Sequence, residues 1–363
     1  DPSTAHAWIV RSAKLHDKEL PKSLRAISRA GAGVNNIPLE RCTEQGIVVF
    51  NTPGANANGV CELVLCAMIL ASRDVLGGAQ WVCQHVNNKD ISSIAEKAKS
   101  QFRGTEIRGK TLGVIGLGAI GHLVANAAVG VGMHVEGYDP AIPIQYAWRL
   151  SRQVRYNESL EELLPKCDYL TVHVPLLDST RGMIGEEALA QMKDGAILLN
   201  FARDVICDEP AVGRALESGK LRSYVVDFPN ELNVTFPNTI VTPHIGATTA
   251  EAQETCAVMA VDQLQDYIDY GNITHSVNFP DVNLGILQVP TRIVMIHRNV
   301  PGTLNRVTGL FGEHGYNIDQ MVSASKGAYS VALFDIAKQI TRDFVEHLQD
   351  YDEIMKVRTI QQD

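Results

Sequence analysis

The stretch Thr111-Leu112-Gly113-Val114-Ile115-Gly116-Leu117-Gly118-Ala119-Ile120-Gly121 decides the fold. A short bulky run reads as a buried parallel strand, glycines follow at Gly-x-Gly-x-x-Gly spacing, and GHLVANAAVGVG continues as a helix. The next run, MHVEGYD, ends at Asp139. In such a strand–turn–helix–strand unit each part has a mechanical task. Gly116 permits the tight turn, Gly118 lets a pyrophosphate approach the backbone, and Gly121 lets the helix pack closely on the strand. The helix start, with the backbone of Ala119 and Ile120, offers unpaired N–H groups and partial positive charge to phosphates. Asp139 can accept hydrogen bonds from both ribose hydroxyls and repels a 2′-phosphate, so NAD rather than NADP is the expected cofactor.

The same rhythm extends in both directions. YLTVHVP, AILLNFA, YVVDF and TIVTPH are short apolar runs separated by helical patterns such as PAVGRALESGK. Residues 8–50 alternate in the same way through AWIV, LRAISRAG and GIVVF. Residues 59–83 read as one long apolar helical stretch with Asn56 or Asn58 available as a cap. The chain then turns polar and Lys- and Ser-rich over 85–108, a crossing into a second domain. Residues 250–270 form a further long helix, followed by the short linker VNFPDVNLG. From 291 the order is strand, helix, strand, strand, helix, strand, a ferredoxin-like βαββαβ unit. The expected class is α/β: two doubly wound parallel-sheet (Rossmann-like) domains plus that C-terminal unit. The boundaries expected are 1–76 with 257–286 for a substrate-binding domain, 77–256 for the dinucleotide domain, and 289–363 for the last.

Composition narrows the function classes. A chain of 363 residues implies two or three domains. A formal charge of −9 argues against a nucleic-acid partner, which needs a basic face to displace counterions. No apolar run is long enough for a membrane span. The seven cysteines are scattered without a CxxC pair, so neither a metal site nor a disulfide framework is expected, and a reducing, cytoplasmic location fits. The first residue is not Met and a strand begins almost at once at Trp8, so the natural chain is expected to start earlier.

Three polar residues fall at the carboxyl ends of expected strands, where ligands bind in open α/β sheets: Arg203 after ILLNFA, Glu231 after YVVDFPN and His244 after TIVTP. Arg, carboxylate and His are the groups that oxidation of a 2-hydroxy acid requires. The His takes the hydroxyl proton as hydride leaves carbon, and the carboxylate fixes its tautomer. The Arg holds the substrate carboxylate through paired charge-assisted hydrogen bonds. Singly, each has a plainer reading: a solvated loop acid, a strand-end cap, or a pair with Asp204.

GKTLGVIGLGAIG, VHVPL, LLNFAR, DFPNE and TPHIGATT together resemble the D-isomer-specific 2-hydroxyacid dehydrogenase family, over most of residues 8–285. The resemblance implies that Arg203 binds substrate carboxylate, that Glu231 partners the catalytic His244, and that Pro175 contacts NAD. Asp204 stands where the family commonly has Gly, and the segment from Glu231 to His244 is short. HRNVPGTLNRVTGLFGEHGYNI resembles an ACT domain, a module that binds amino acids. Family members carrying one resemble the branch that oxidises 3-phosphoglycerate to 3-phosphohydroxypyruvate. That implies substrate contacts from Arg11 to the phosphate, from Asn56 and Asn58, and from the backbone of Ala32, Gly33 and Val34. Lys99 is a weaker candidate, because several lysines share its segment.

For the C-terminal unit the resemblance implies L-serine as an effector, held by His297, Asn299 and Asn317 with Gly302 at the loop. The bland alternative is that these polar residues only satisfy a strand end. The long apolar run 59–83 suggests a homodimer, and pairing of ACT units would extend it to a homotetramer. Two rival functions remain at this stage: a glyoxylate or hydroxypyruvate reductase, and a non-catalytic NAD-sensing corepressor-like protein.

Overall fold

The computed structural model describes residues 4–361 and divides into two compact units, Asn56–Ala252 and Asp1–Ala55 with Gln253–Asp363. The discontinuous unit contains a parallel sheet of β1 (Ala7–Val10), β2 (Ala26–Arg29) and β3 (Val48–Asn51) in sequential order. LRAISRAG carries the central strand. Its successive residues face opposite sides as in any strand: Ile27 packs with Leu15, Ile37 and Val49, while Ala26 joins Val48, Phe50 and Tyr267 on the other side.

The continuous unit is built on β4 (Thr111–Ile115), β5 (His134–Tyr138), β6 (Val154–Tyr156), β7 (Tyr169–Val172), β8 (Ala196–Asn200), β9 (Leu221–Val226) and β10 (Thr239–Val241). All seven are parallel, in the order β10-β9-β8-β7-β4-β5-β6. The direction of progression reverses between β4 and β7, which is the topological switch point where such sheets open a ligand crevice at their carboxyl ends. Helices Ala57–Ser72 and Gly121–Gly130 cover one face with Leu112, Val114, Leu199 and Val225. Leu170, Leu198, Tyr224 and Val226 pack on the opposite side with Leu189 and Val212. Burial on both faces is why these strands read as unbroken apolar runs.

The single helix expected over 59–83 is two. Ala57–Ser72 ends at Arg73, whose backbone is extended (φ −149°, ψ 147°), and Val75–Gln84 starts afresh. The Asp74 carboxylate caps the new helix by accepting from Gly77 N at 2.8 Å. Apolar periodicity runs through the break, so the cap rather than the pattern decides it. The polar stretch beyond includes a helix, Ile91–Ala98, after which Lys99 is exposed and paired with Glu96.

The C-terminal strands β11 (Thr291–Arg298), β12 (Ile318–Lys326), β13 (Tyr329–Ile336) and β14 (Ile354–Gln361) form an antiparallel sheet ordered β12-β13-β11-β14, with helices Thr303–Glu313 and Arg342–Gln349 between them. The βαββαβ order is the one read from the sequence. One face packs Phe311, Phe334 and Phe344 under the helices. The other face, with Val294, Ile296, Val331 and Leu333, joins Ala26, Val48 and Phe50 through Tyr267, Ile273 and Phe279. The linker is therefore part of a core. Phe279 is fully buried, which stabilises by about 2–3 kcal/mol. Arg292, also fully buried, binds Asp335 through Nε at 2.5 Å and Nη2 at 2.8 Å, and donates to the Tyr270 and Gly285 carbonyls.

Candidate active site and effector cavity

The glycine turn leaves β4 at the switch point. Gly116 adopts φ +86°, open to glycine at little cost, and a Cβ there would stand 2.7 Å from the His173 carbonyl oxygen. A Cβ on Gly121 would lie 1.8 Å from the Gly116 carbonyl oxygen, so the helix can start this close to the turn only with glycine. At Gly118 a Cβ would meet nothing within 4 Å: that glycine leaves open space rather than relieving an internal contact. Among the described residues the N–H groups of Gly118, Ala119 and Ile120 have no protein acceptor. Asp139 takes Leu117 N on Oδ2 at 2.8 Å and Ala141 N on Oδ1 at 2.9 Å, which ties the acid to the glycine turn. Vacant space, free donors and an acid at the end of β5 fit a dinucleotide. The exposed Pro175 follows β7, where its carbonyl accepts from Thr180 Oγ1 at 2.7 Å.

His173, to which the sequence reading gave no role, borders this turn. Its Nε2 meets Thr171 Oγ1 at 2.9 Å while Nδ1 is buried without a partner. Burial pushes its pKa down to about 3, so the ring is neutral at pH 7.

Arg203, Glu231 and His244 occupy loops after β8, β9 and β10, and each side chain is exposed. The backbones beneath them are fixed. Asn200 donates to the Arg203 carbonyl at 2.9 Å and accepts from Ala202 N at 3.1 Å. Among the described residues Arg203 forms no ion pair with Asp204; its guanidinium donates to the Ala202 carbonyl at 2.6 Å. Glu231 rides a turn wound by Asn230 and Asn233. Asn230 Oδ1 accepts from Leu232 N at 2.9 Å and Asn233 N at 2.8 Å, and Asn233 Oδ1 accepts from Asn230 N at 3.0 Å. Beneath it Glu209 is buried against Tyr224 and Asn233, and burial raises its pKa. No hydrogen bond joins Glu231 to His244 among the described residues.

His244 sits at φ 57°, a left-handed conformation unusual for a histidine, with its ring 4.7 Å from that of Phe228. The residue that holds it there is Asp227, buried at the end of β9 and missed by sequence reasoning. Its Oδ1 accepts from Thr242 Oγ1 at 2.6 Å and Ile245 N at 2.8 Å, and its Oδ2 from Gly246 N at 2.7 Å. One carboxylate thus ties both sides of His244.

In the same unit Asn56 stands at the cap of helix Ala57–Ser72 without a side-chain hydrogen bond to it, and Asn58 donates to Glu62 at 2.8 Å. In the discontinuous unit Arg11 is exposed after β1, its carbonyl accepting from Arg29 and Asn36. Ala32, Gly33 and Val34 follow β2, with Asn51 donating to the Ala32 carbonyl at 2.7 Å.

The structure brings His297, Asn299 and Gly302 together around a cavity of about 230 Å³ at the start of helix Thr303–Glu313. Gly302 is left-handed at φ 86°. His297 Nδ1 meets the Arg298 carbonyl at 2.9 Å, its buried Nε2 has no partner, and burial lowers its pKa. Ser323, Ser325 and Ser330 are among the other lining residues; the alternate positions Ser323 and Ser325 on β12 were the unread signal. Asn317 does not line the cavity: it donates to Asp319 at 2.8 Å.

Residues 65–246 match the family model of the D-isomer specific 2-hydroxyacid dehydrogenase NAD binding domain, and residues 291–358 match that of the ACT domain. The chain is 35% identical over 355 residues to the D-3-phosphoglycerate dehydrogenase of Haemophilus influenzae, covering 94% of this chain and 82% of that one. It is 34% identical to D-3-phosphoglycerate dehydrogenase 1 of Saccharomyces cerevisiae, covering 93% of this chain and 74% of that one. Among solved structures, the NAD⁺-bound 3-phosphoglycerate dehydrogenase of Entamoeba histolytica aligns with a TM-score of 0.60 at 31% identity, over 76% of this chain and 83% of that one.

Proposed function

The chain belongs to the D-isomer-specific 2-hydroxyacid dehydrogenase family, and from that premise we propose that it oxidises 3-phosphoglycerate to 3-phosphohydroxypyruvate, the entry step of serine biosynthesis. The observation that carries the chemistry is the sharing of one parallel sheet: the dinucleotide turn follows β4, and Arg203, Glu231 and His244 follow β8, β9 and β10. NAD, when bound on Gly116–Gly121 and Asp139, supplies the hydride acceptor. Arg203 holds the substrate carboxylate: its exposed guanidinium, one nitrogen of which donates to the Ala202 carbonyl, has further N–H groups for paired hydrogen bonds. His244 accepts the proton from the C2 hydroxyl. Glu231 stabilises the imidazolium that forms, in a contact made on substrate binding. Arg11 is assigned to the substrate phosphate, with Asn56, Asn58 and the Ala32–Val34 backbone as further contacts. Pro175 borders the cofactor.

The ACT unit takes a small-molecule effector, and we assign L-serine to the His297–Asn299–Gly302 cavity. Asparagine both donates and accepts, as a zwitterion requires, and the helix start favours a carboxylate. Ile69, Val75, Leu76 and Val82 are all exposed, and Val75–Gln84 buries no residue, which supports a homodimer through these helices. The seven cysteines, none in a disulfide, fit the cytoplasm.

The test follows NADH absorbance with 3-phosphohydroxypyruvate, glyoxylate or hydroxypyruvate as acceptor. Fast consumption confined to the phosphorylated keto acid is expected, slowed by serine. Equal rates with glyoxylate would replace the substrate assignment with a reductase. Tight NADH binding without turnover would remove the enzyme reading.

A further inference from the structure

A second cavity, of about 350 Å³, lies within the discontinuous unit, where β14 and β11 of the C-terminal sheet meet the segment leading into β2. His6, Lys22, Arg25, Lys356 and Arg358 all line it, and no Asp or Glu does. Nothing in the assigned reaction uses these groups, and the chain as a whole is acidic at −9. A cationic cluster in an acidic protein needs a physical reason, because like charges gathered at a half-buried site repel.

The strand alternation produces the cluster. Lys356 and Arg358 are two apart on β14 and stand opposite Ile296 and Val294 of β11, on the face turned toward Tyr267 and the first sheet. Their polar contacts are with backbone carbonyls. Lys356 Nζ donates to the Leu24 carbonyl at 3.0 Å. Arg358 donates to Tyr267 O at 2.8 Å and to Ile268 O, in the last turn of helix Ala250–Tyr270, and its guanidinium lies 5.2 Å from the Tyr267 ring centroid. These dipoles hold Arg358 in place, and Asp269 acts on it from outside the cavity lining. Its buried Nε still has no acceptor. Among the described residues none of the five basic groups belongs to an ion pair within 4.0 Å. Lys356 records the resulting stress: burial first, then Arg25 and Arg358, bring its pKa down to about 8.

We propose that this cavity is a binding site for a phosphate-bearing small molecule, whose phosphoryl oxygens engage Arg25, Lys356 and Arg358 and so clamp the C-terminal sheet to the β1–β3 sheet. A phosphate monoester carries about −1.5 to −2 charges at pH 7 and three acceptor oxygens, matching cations that arrive from different segments. A single carboxylate supplies one charge in one plane. The cavity is also larger than inorganic phosphate, leaving room for an organic portion. This inference does not depend on the reaction assigned above.

Isothermal titration calorimetry of the full chain with inorganic phosphate, at constant ionic strength set with NaCl, tests it. Wild type is expected to bind saturably, and Arg25→Gln with Lys356→Met to weaken binding at least tenfold. Arg11→Gln removes the phosphate contact assigned to the substrate, and Lys338→Gln removes an exposed charge elsewhere; both are expected to leave binding at this cavity intact. Above pH 8 binding must also take up a proton, because the anion recharges Lys356. The observed heat should then depend on buffer ionisation enthalpy, a readout available from wild type even if the double variant does not fold. Equal affinity in wild type and the folded double variant overturns the proposal, as does loss of all phosphate binding in Arg11→Gln. Absence of saturable phosphate binding to wild type also overturns it.

Discussion

Asp227→Asn tests whether the fixed backbone around His244 matters to turnover. Asp227 is only 3% exposed and accepts three hydrogen bonds, two from the consecutive N–H groups of Ile245 and Gly246. An asparagine keeps the shape but has one acceptor atom. Whichever way its amide is turned, one of those N–H groups faces an NH₂. The variant loses a charge-assisted hydrogen bond, about 1.5–3 kcal/mol, and leaves a backbone donor unpaired in a buried place. His244, at φ 57°, depends on that anchoring to hold an unfavourable backbone conformation. If the loss appears in the positioning of the base, kcat falls roughly 10- to 100-fold, since 1.36 kcal/mol is tenfold in rate. Steady-state assays of NADH oxidation, beside NADH binding measured by fluorescence, separate the outcomes. A large fall in kcat with unchanged NADH affinity is expected. Unchanged kcat in a destabilised variant would refute the positioning role, because only the fold would then need the carboxylate.

The other tests act on different parts of the chain. Gly121→Val places a Cβ 1.8 Å from the Gly116 carbonyl oxygen, so NADH fluorescence enhancement should be lost and urea unfolding should show a loss of at least about 1–3 kcal/mol from overpacking. Arg292→Met strands the buried Asp335 carboxylate and should cost about 3–5 kcal/mol in urea unfolding. Adding Asp335→Leu should recover much of that loss. His173 gives a pH signature. Its folded pKa, about 3, lies below the unfolded value, so its contribution is complete above pH 6.5 and is lost as pH falls toward 3. Between pH 7 and pH 5 that slope amounts to about 1–2 kcal/mol in urea unfolding, and His173→Gln should abolish it.

The cofactor turn was legible because its requirements are local. A positive φ at Gly116 and a close approach at Gly121 each demand glycine, so the spacing carries the geometry with it. The βα alternation was legible for a related reason: a strand covered on both faces carries mostly apolar residues, with only scattered polar ones such as Thr171 and Ser223. Asp227 was not legible. In the sequence it is an acid at the end of an apolar run, and its partners are two backbone N–H groups and a hydroxyl that only the fold delivers. The break at Arg73 escaped because apolar spacing persists on both sides while Asp74 caps locally. Ser323 and Ser325 of β12 and Ser330 of β13 escaped because small polar residues on a strand read as a solvated face until the fold sets them beside the Gly302 turn.

The three strand-end residues share one construction: an exposed polar head on a backbone tied down by a different buried polar side chain. Asn200 holds the Arg203 loop, the Asn230–Asn233 turn over Glu209 holds Glu231, and Asp227 holds His244. The division of labour follows from solvation. A buried carboxylate or amide is costly unless satisfied, so it satisfies itself on backbone donors and stiffens the loop. The reactive heads stay in water, where an unpaired charge costs little, and their strongest contacts wait for the substrate. Loops organised in advance around exposed heads place the interaction energy in the step that binds and reacts. The same logic separates this site from the basic cavity near Lys356, where the cations are half-buried and already crowded before any ligand arrives.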